Sequence, residues 1–371
     1  MMKKIAIFGG TFDPIHTDHV NIIKACKYNL DFDEIWVLPA YVNPFKTVST
    51  SSVSQRLEMI DLAVKHLDYV KVKKFEIRKT VRSYTYDTIL HYIKNYPNFD
   101  FSFIMGSDQL DSFEKWDHFE NLIKLIKFKV FIRDCNHINN KIIEKYNLET
   151  FEFDNNYLSS TKIRNLKELN LQIKTVNDYI NNSLLYLYER LETKMDEERY
   201  FHSLNVGQEA LKIAHLNNYD LQKALIAGTL HDIAKRWSEQ ETIEIISQYD
   251  KTLLSEPKPV WHSFAGAFHL KRDWLFNDKE IINAVFKHTV GDREMSTLDM
   301  IVFCADKVSS ERTYQGVDKL RTLVYKDLKL GFIALLKNQY DLSIKTHGIE
   351  NIGKKLIDAY NFWVREELKS E

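Results

Sequence analysis

Two groups of residues in this chain could do chemistry. The first is one unbroken run, Gly9-Gly10-Thr11-Phe12-Asp13-Pro14-Ile15-His16-Thr17-Asp18-His19. An apolar stretch, Lys4–Phe8, precedes it, and a helical pattern, His19–Tyr28, follows. Glycines at such a turn let the backbone approach a phosphate closely, and the free N–H groups at the helix start meet the anion. Two His three positions apart stand on one side of the entering turn and could donate to phosphate oxygens. The second group lies far downstream: His202, His231, Asp232, His262, His288 and Asp306. His231-Asp232 ends an apolar helical stretch, Ala224–Leu230. An imidazole and a carboxylate presented from one turn suit a hard or borderline metal ion. With no Cys nearby, the donor set favours Mn or Fe over structural zinc.

Elements must hold these groups in place. Lys4–Phe8, Glu34–Leu38, Phe101–Met105 and Phe128–Ile132 read as strands, with Val70–Val72 and Glu149–Phe153 as weaker candidates. Amphipathic stretches His19–Tyr28, Ser54–His66, Tyr84–Asn95 and Asp117–Ile126 lie between them. This alternation predicts βαβ units and a doubly wound parallel sheet, whose ligands bind at the carboxyl ends of the strands. From Val176 onward the pattern is helical. Val176–Arg190 reads as one helix, followed by Tyr200–Leu216, Leu221–Ile233, Glu239–Gln248, Lys279–Lys287, Leu298–Val308 and Ile349–Leu368. The fold class expected is α/β followed by an all-α half, with domains 1–190 and 191–371.

Composition narrows the function classes. The chain has 371 residues, with 51 Lys+Arg against 52 Asp+Glu, so a strongly basic nucleic-acid binder is not the default. Cys26, Cys135 and Cys304 are far apart and give neither a disulfide framework nor a Cys-type zinc site, which fits a reducing cytoplasm. The apolar stretch Ile5–Phe8 is too short for a signal peptide, and nothing later approaches the roughly 18 apolar residues of a membrane span. Neither a membrane nor a nucleic-acid partner is expected.

The first run resembles the signature of the nucleotidyltransferase superfamily with a His-x-Gly-His motif, and within it the nicotinate mononucleotide adenylyltransferases. Further segments agree in order: Asn43-Pro44-Phe45-Lys46, then Arg56 and Met59, Ser83-Tyr84-Thr85-Tyr86-Asp87-Thr88, Gly106-Ser107-Asp108 with Phe113 and Trp116, and Ser159-Ser160-Thr161-Lys162-Ile163-Arg164. One departure stands out: Asp18 occupies the position where the family usually has Gly. The resemblance implies a Rossmann-like fold and adenylyl transfer from ATP to nicotinate mononucleotide, with Mg²⁺ neutralising the phosphates. It implies that Gly9, Gly10, Thr11 and Phe12 form the nucleotide loop, and that His16 and His19 touch ATP phosphates. Lys46 and Arg164 would stabilise the triphosphate and pyrophosphate, and Ser160 and Thr161 would donate at a helix start. Gly106 and Asp108 would lie by the nucleotide ribose, Trp116 would stack on the pyridine, and Thr85 would help read its carboxylate. Arg133 is a further phosphate or adenine candidate.

The second group resembles the HD phosphohydrolase superfamily, whose pattern is His…His-Asp…Asp. Arg199-Tyr200-Phe201-His202-Ser203, Leu230-His231-Asp232-Ile233-Ala234-Lys235, His262-Ser263, Lys287-His288-Thr289-Val290-Gly291, Ala305-Asp306-Lys307 and Arg312 look like the bacterial YqeK-like subgroup. That subgroup hydrolyses diadenosine tetraphosphate symmetrically to two ADP. By this resemblance His202, His231, Asp232 and Asp306 bind one metal, His262 and His288 a second, and Asp232 bridges them. A dinuclear iron or manganese site is implied, with Lys235 as a catalytic candidate and Thr289 and Arg312 as phosphate contacts. Such hydrolases can be dimeric, so a homodimer is among the expectations. The rival readings are a different phosphate acceptor for the amino half, such as nicotinamide mononucleotide or phosphopantetheine, and a different nucleotide hydrolase or a regulatory module for the carboxyl half.

Overall fold

Ile5, Ala6 and Ile7 are fully buried, as a strand covered on both faces requires. They lie in β1 (Lys3–Gly10), the inner strand of a six-stranded parallel sheet that continues with β2 (Glu34–Pro39), β3 (Val70–Val72), β4 (Phe99–Gly106), β5 (Lys127–Phe131) and β6 (Glu149–Phe151). In the computed structural model, residues 2–41, 51–78, 84–133, 138–191 and 195–365 are described. Lys46 with Asn43, Pro44 and Phe45, and also Ser83 and Cys135, lie outside them.

The sheet order is β3-β2-β1-β4-β5-β6. The chain leaves β1 toward one edge and resumes at β4 on its other side, so the winding reverses between β1 and β4. A crevice is expected there, at the carboxyl ends of those two strands. All six strand expectations hold, including the two weaker ones.

Between the strands run α1 (Thr17–Tyr28), α2 (Val53–Val64), the single turn α3 (Phe75–Arg78), α4 (Thr85–Asn95), α5 (Phe119–Leu125) and α6 (Asn140–Tyr146). The short α7 (Ser160–Arg164) follows β6. An aromatic core lies against β4: Trp36 meets Tyr92 and Phe101 edge-on, and Phe113 meets Phe119 and Phe128 in the same way. Aromatic quadrupoles favour this geometry over face-to-face stacking.

The helix expected over Val176–Arg190 is two helices, α8 (Lys174–Asn182) and α9 (Leu187–Leu191). Leu184 and Tyr186 between them have φ of 47° and 60°. That left-handed backbone cannot continue a right-handed helix. The chain separates into two compact units, Met1–Ile180 and Asn181–Glu371. The packing of the 181–191 segment explains the position of that border. Arg190 is buried, donates to Asn181 Oδ1 at 2.9 Å and lies 4.8 Å from the Trp274 ring, while Asn181 Nδ2 donates to the Trp274 carbonyl at 2.8 Å.

The second unit is helical among its described residues. Its helices are α10 (Glu197–Leu216), α11 (Leu221–Leu230), α12 (Glu239–Tyr249), α13 (Trp261–Arg272), α14 (Lys279–Lys287), α15 (Thr297–Val308), α16 (Val317–Lys326), α17 (Leu328–His347) and α18 (Lys354–Tyr360). The terminal helix expected from Ile349 is broken: a 3₁₀ turn, Ile349–Asn351, precedes α18. α13 escaped the sequence reading because Trp261 through Ala267 are all buried, which removes the polar face that gives a helix its signature. α10 and α11 touch through glycine. A Cβ on Gly228 would lie 2.8 Å from Ala210 Cβ and 2.9 Å from the Val206 carbonyl. This close approach brings His202 of α10 to His231, which caps α11.

Candidate functional sites in the two units

In the first unit, β1 ends at Gly9-Gly10 and α1 begins after His16, its N-cap. Phe12 has φ of 52° and is buried against Phe8 and His19. The His16 amide donates to His19 Nδ1 at 3.1 Å, and the two rings lie 3.7 Å apart. Because Nδ1 of His19 accepts that bond, a neutral His19 carries its proton on Nε2. Burial, and then the Arg133 guanidinium, lowers His16 to about 3. Burial, then His16 and Arg133, holds His19 well below its ordinary value. Both rings are therefore neutral at physiological pH.

The second phosphate motif docks against the first. Arg164 Nη1 donates to the Asp13 carbonyl at 2.8 Å, and the Ser160 hydroxyl donates to the Pro14 carbonyl at 2.9 Å. Thr161 stands beside them, with its hydroxyl 3.3 Å from Arg164 Nη2. Arg133, at the end of β5, donates to the Leu158 carbonyl at 2.7 Å and lies 3.9 Å from Asp108. Asp108 lies in the first turn of the 3₁₀ segment Ser107–Lys115 after β4. At Gly106, a Cβ would fall 2.2 Å from the Asp108 carboxylate and 3.0 Å from the Phe131 ring, so a larger residue would push the Asp108 side chain from its place. Thus Gly9, Gly10, Thr11, Phe12, His16, His19, Gly106, Asp108, Arg133, Ser160, Thr161 and Arg164 gather where the sheet reverses its winding.

Two expected residues stand apart. Thr85 opens α4 and shares no hydrogen bond with the loop among the described residues. Trp116 packs edge-on to Phe103 and Phe113 at the border of the aromatic core, and the Phe103 ring in turn covers Gly9.

Two residues matter more here than the sequence suggested. Arg56 is 1% exposed and donates to the carbonyls of Thr11 (2.8 Å), Ala40 (2.7 Å) and Tyr41 (2.9 Å). It clamps the glycine loop to the end of β2. Asp18 is fully buried. Its Oδ1 accepts from Asn156 N and Nδ2, both at 3.0 Å, and its Oδ2 accepts from Leu158 N at 2.8 Å. The carboxylate therefore anchors the segment that leads into α7. Its departure from the usual Gly was the available signal; its direction was not readable.

In the second unit, α10, α11, α13, α14 and α15 each bring ligands to one point. Asp232 Oδ2 lies 3.9 Å from His202 Nε2 and 3.6 Å from His231 Nε2. Asp232 Oδ1 lies 3.1 Å from His262 Nε2 and 3.4 Å from His288 Nε2. Asp306 Oδ1 is 3.4 Å from His202 Nε2 and 3.7 Å from His231 Nε2. One carboxylate thus faces two pairs of imidazoles through its two oxygens, and the donor atoms of each group lie within 4.8 Å of one another.

The outer nitrogens of three of these rings are held from outside the cluster. Nδ1 of His231 meets the Gly228 carbonyl at 2.7 Å, Nδ1 of His288 meets the Val285 carbonyl at 2.7 Å, and Nδ1 of His202 meets Glu311 at 2.6 Å. A proton fixed on Nδ1 leaves the Nε2 lone pair for a metal ion. His231 Nε2 is buried and has no hydrogen-bond partner. These residues therefore fit a divalent metal ion.

Burial opposes the charge on Asp232, but His231, His262 and His288 outweigh it and hold the carboxyl well below its usual range. Asp306 is held low in the same way, against burial, by Lys307, His202 and His231. Arg199 Nη1 sits 2.7 Å from Asp232 Oδ2, and Arg312 Nη2 sits 2.8 Å from Asp306 Oδ1. Lys235 Nζ is 3.3 Å from His262 Nε2. A cavity of about 550 Å³ opens beside the cluster, and Lys235, His262, Thr289, Asp306 and Arg312 line it. Arg199 and Glu311 were not singled out from sequence; Arg199 lay inside a quoted motif, and Glu311 only beside one.

Comparison with known proteins finds one family match within each unit. The cytidylyltransferase-like family matches residues 7–166, and the HD domain family matches residues 199–311. A Mycoplasma genitalium protein described as "Probable nicotinate-nucleotide adenylyltransferase/Ap4A hydrolase" is 34% identical over 343 residues, covering 91% of this chain and 98% of its own. A Mycoplasma pneumoniae protein of the same description is 32% identical over 340 residues, covering 89% and 97%. A Listeria welshimeri protein, "Probable nicotinate-nucleotide adenylyltransferase", is 35% identical over 166 residues, covering 44% of this chain and 86% of its own.

Proposed function

The chain belongs to the family of fused nicotinate-nucleotide adenylyltransferase/Ap4A hydrolase proteins, and from that premise we propose two reactions, one in each unit. The first unit transfers the adenylyl group of ATP to nicotinate mononucleotide. A phosphate oxygen of the mononucleotide attacks the α-phosphorus of ATP, the bond to the bridging oxygen breaks, and pyrophosphate leaves. No covalent enzyme intermediate is needed, so the protein acts by positioning and by stabilising charge.

The observation that carries this reading is the docking of Ser160 and Arg164 onto the Asp13-Pro14 turn beside the His pair. His19, neutral and protonated on Nε2, donates to an ATP phosphate oxygen without bringing a charge. His16 shapes the turn beside it. Arg164, Arg133 and Lys46 supply the positive charge that the departing pyrophosphate needs. Mg²⁺ arrives with ATP and neutralises part of its charge.

The second unit hydrolyses diadenosine tetraphosphate to two ADP. His202, His231, Asp232, His262, His288 and Asp306 would hold a dinuclear centre of iron or manganese. Such a centre supplies Lewis acidity and lowers the pKa of water. The chain's own residues orient the substrate: Arg312, Lys235 and Thr289 line the cavity where phosphates would lie.

Two assays test the proposal: ATP with nicotinate mononucleotide, and separately diadenosine tetraphosphate with Mn²⁺ or Fe²⁺. His19→Ala should abolish the first activity and spare the second, and Asp232→Ala the reverse. Loss of both activities in either variant would reject independent sites.

A further inference from the structure

The cavity beside the His/Asp cluster is larger than its phosphate-facing residues account for. At about 550 Å³ it falls in the range of whole-ligand sites. We propose that its remaining wall is a nucleobase subsite that takes the adenine of the substrate, with Asn338 and Gln339 reading the base edge and Tyr314 offering a ring to stack on. This rests on the reading of the second unit as a nucleotide hydrolase.

One face of α17 contributes four residues to that wall. Leu335, Asn338, Gln339 and Leu342 all line the cavity. Their spacing is i, i+3, i+4 and i+7, which is one helical stripe. The stripe is apolar at its two ends and carries two amides in its middle. Asn338 and the neighbouring Gln315 are exposed and Gln339 is half-buried, so their amides are open to a ligand that enters the cavity. A carboxamide presents one donor and one acceptor side by side. That pair matches the N6 amino group and N7 of adenine, whereas the corresponding edge of guanine offers two acceptors.

Tyr314 completes the site. It is 38% exposed, its hydroxyl donates to the Lys307 carbonyl at 3.0 Å, and no aromatic ring packs on it among the described residues, so its ring can take a base by stacking. The polarity of the cavity follows that of a nucleotide: cations and metal ligands toward the phosphates, amides and apolar groups toward the base.

Kinetics of the full chain test this with diadenosine and diguanosine tetraphosphates in Mn²⁺. Asn338→Ala and Gln339→Ala should each raise KM for the adenine substrate about tenfold, the effect of one lost hydrogen bond. kcat should move far less, and the preference for adenine over guanine should collapse. Adenylyl transfer, measured in parallel, reports that the variants are folded. Hydrolysis by the wild type with unchanged KM and base preference in both variants overturns the subsite and leaves the hydrolase reading standing. If the wild type hydrolyses neither substrate, the hydrolase reading fails, and photolabelling with 8-azido-ADP decides the subsite. ADP-competed label on peptides holding Tyr314 or residues 338–342 supports it, and no label there overturns it.

Discussion

Asp18 shows why residue type alone does not assign a role. A carboxylate within a phosphate-binding run suggests repulsion, yet its oxygens face the amides of Asn156 and Leu158. Asp18→Asn would set an NH₂ group against a donor. It should cost ~1–3 kcal/mol, read from denaturation midpoints, and lower adenylyl transfer while hydrolysis is spared. An unchanged midpoint would show that the carboxylate does not hold the loop. The His pair makes a second prediction. An unfolded imidazole takes its proton near 6.5, but His16 takes one only at about 3. Between those values the unfolded chain binds more protons, so this contribution to stability is full above 6.5 and falls as pH drops toward 3. His16→Gln should flatten that part of a Tm-against-pH curve. In the second unit, Glu311→Gln should weaken Mn²⁺ binding by about 10- to 100-fold, measured by metal titration, because Glu311 fixes the tautomer of His202. The four His and two Asp that the structure gathers were legible, because at those spacings they match a known pattern. Asp18 and Glu311 were not, because each acts through partners far away in the chain.

At the scale of elements, the sequence disclosed what has a period. All six strands were readable from short apolar runs, and α14 was read end to end because it has one buried and one solvated face. α13 is covered nearly all round and has no such stripe. The break between α8 and α9 was hidden for another reason: the backbone is left-handed at Leu184 and Tyr186, and neither residue type announces it. Arg56 belongs to this scale, because it ties α2 to the ends of β1 and β2. Arg56→Met would leave three carbonyls without that donor. A loss of ~2 kcal/mol or more is expected by chemical denaturation, with slower adenylyl transfer. Wild-type stability would show that water replaces the guanidinium without cost.

The whole molecule carries two chemistries on two architectures, and each architecture suits its task. A parallel sheet places glycine turns and helix starts at one edge for anions. A helical bundle lets five helices each lend a side chain to a metal cluster. That pairing was legible because each half matches a separate pattern. The border between the halves was not, because it depends on where Arg190 packs. The cytidylyltransferase-like match ends at residue 166, and the later residues Asn181 and Arg190 fold against Trp274 of the second unit. A fragment of residues 174–371 should therefore melt above one of residues 191–371. With ~2 kcal/mol for a buried cation–π contact, the gap should be ~4–8 °C. Equal melting temperatures would count against the packing role of Arg190. If the gap is found, the second unit folds as more than its family match: any excision that begins at that match would deliver a hydrolase without the segment that closes over its tryptophan.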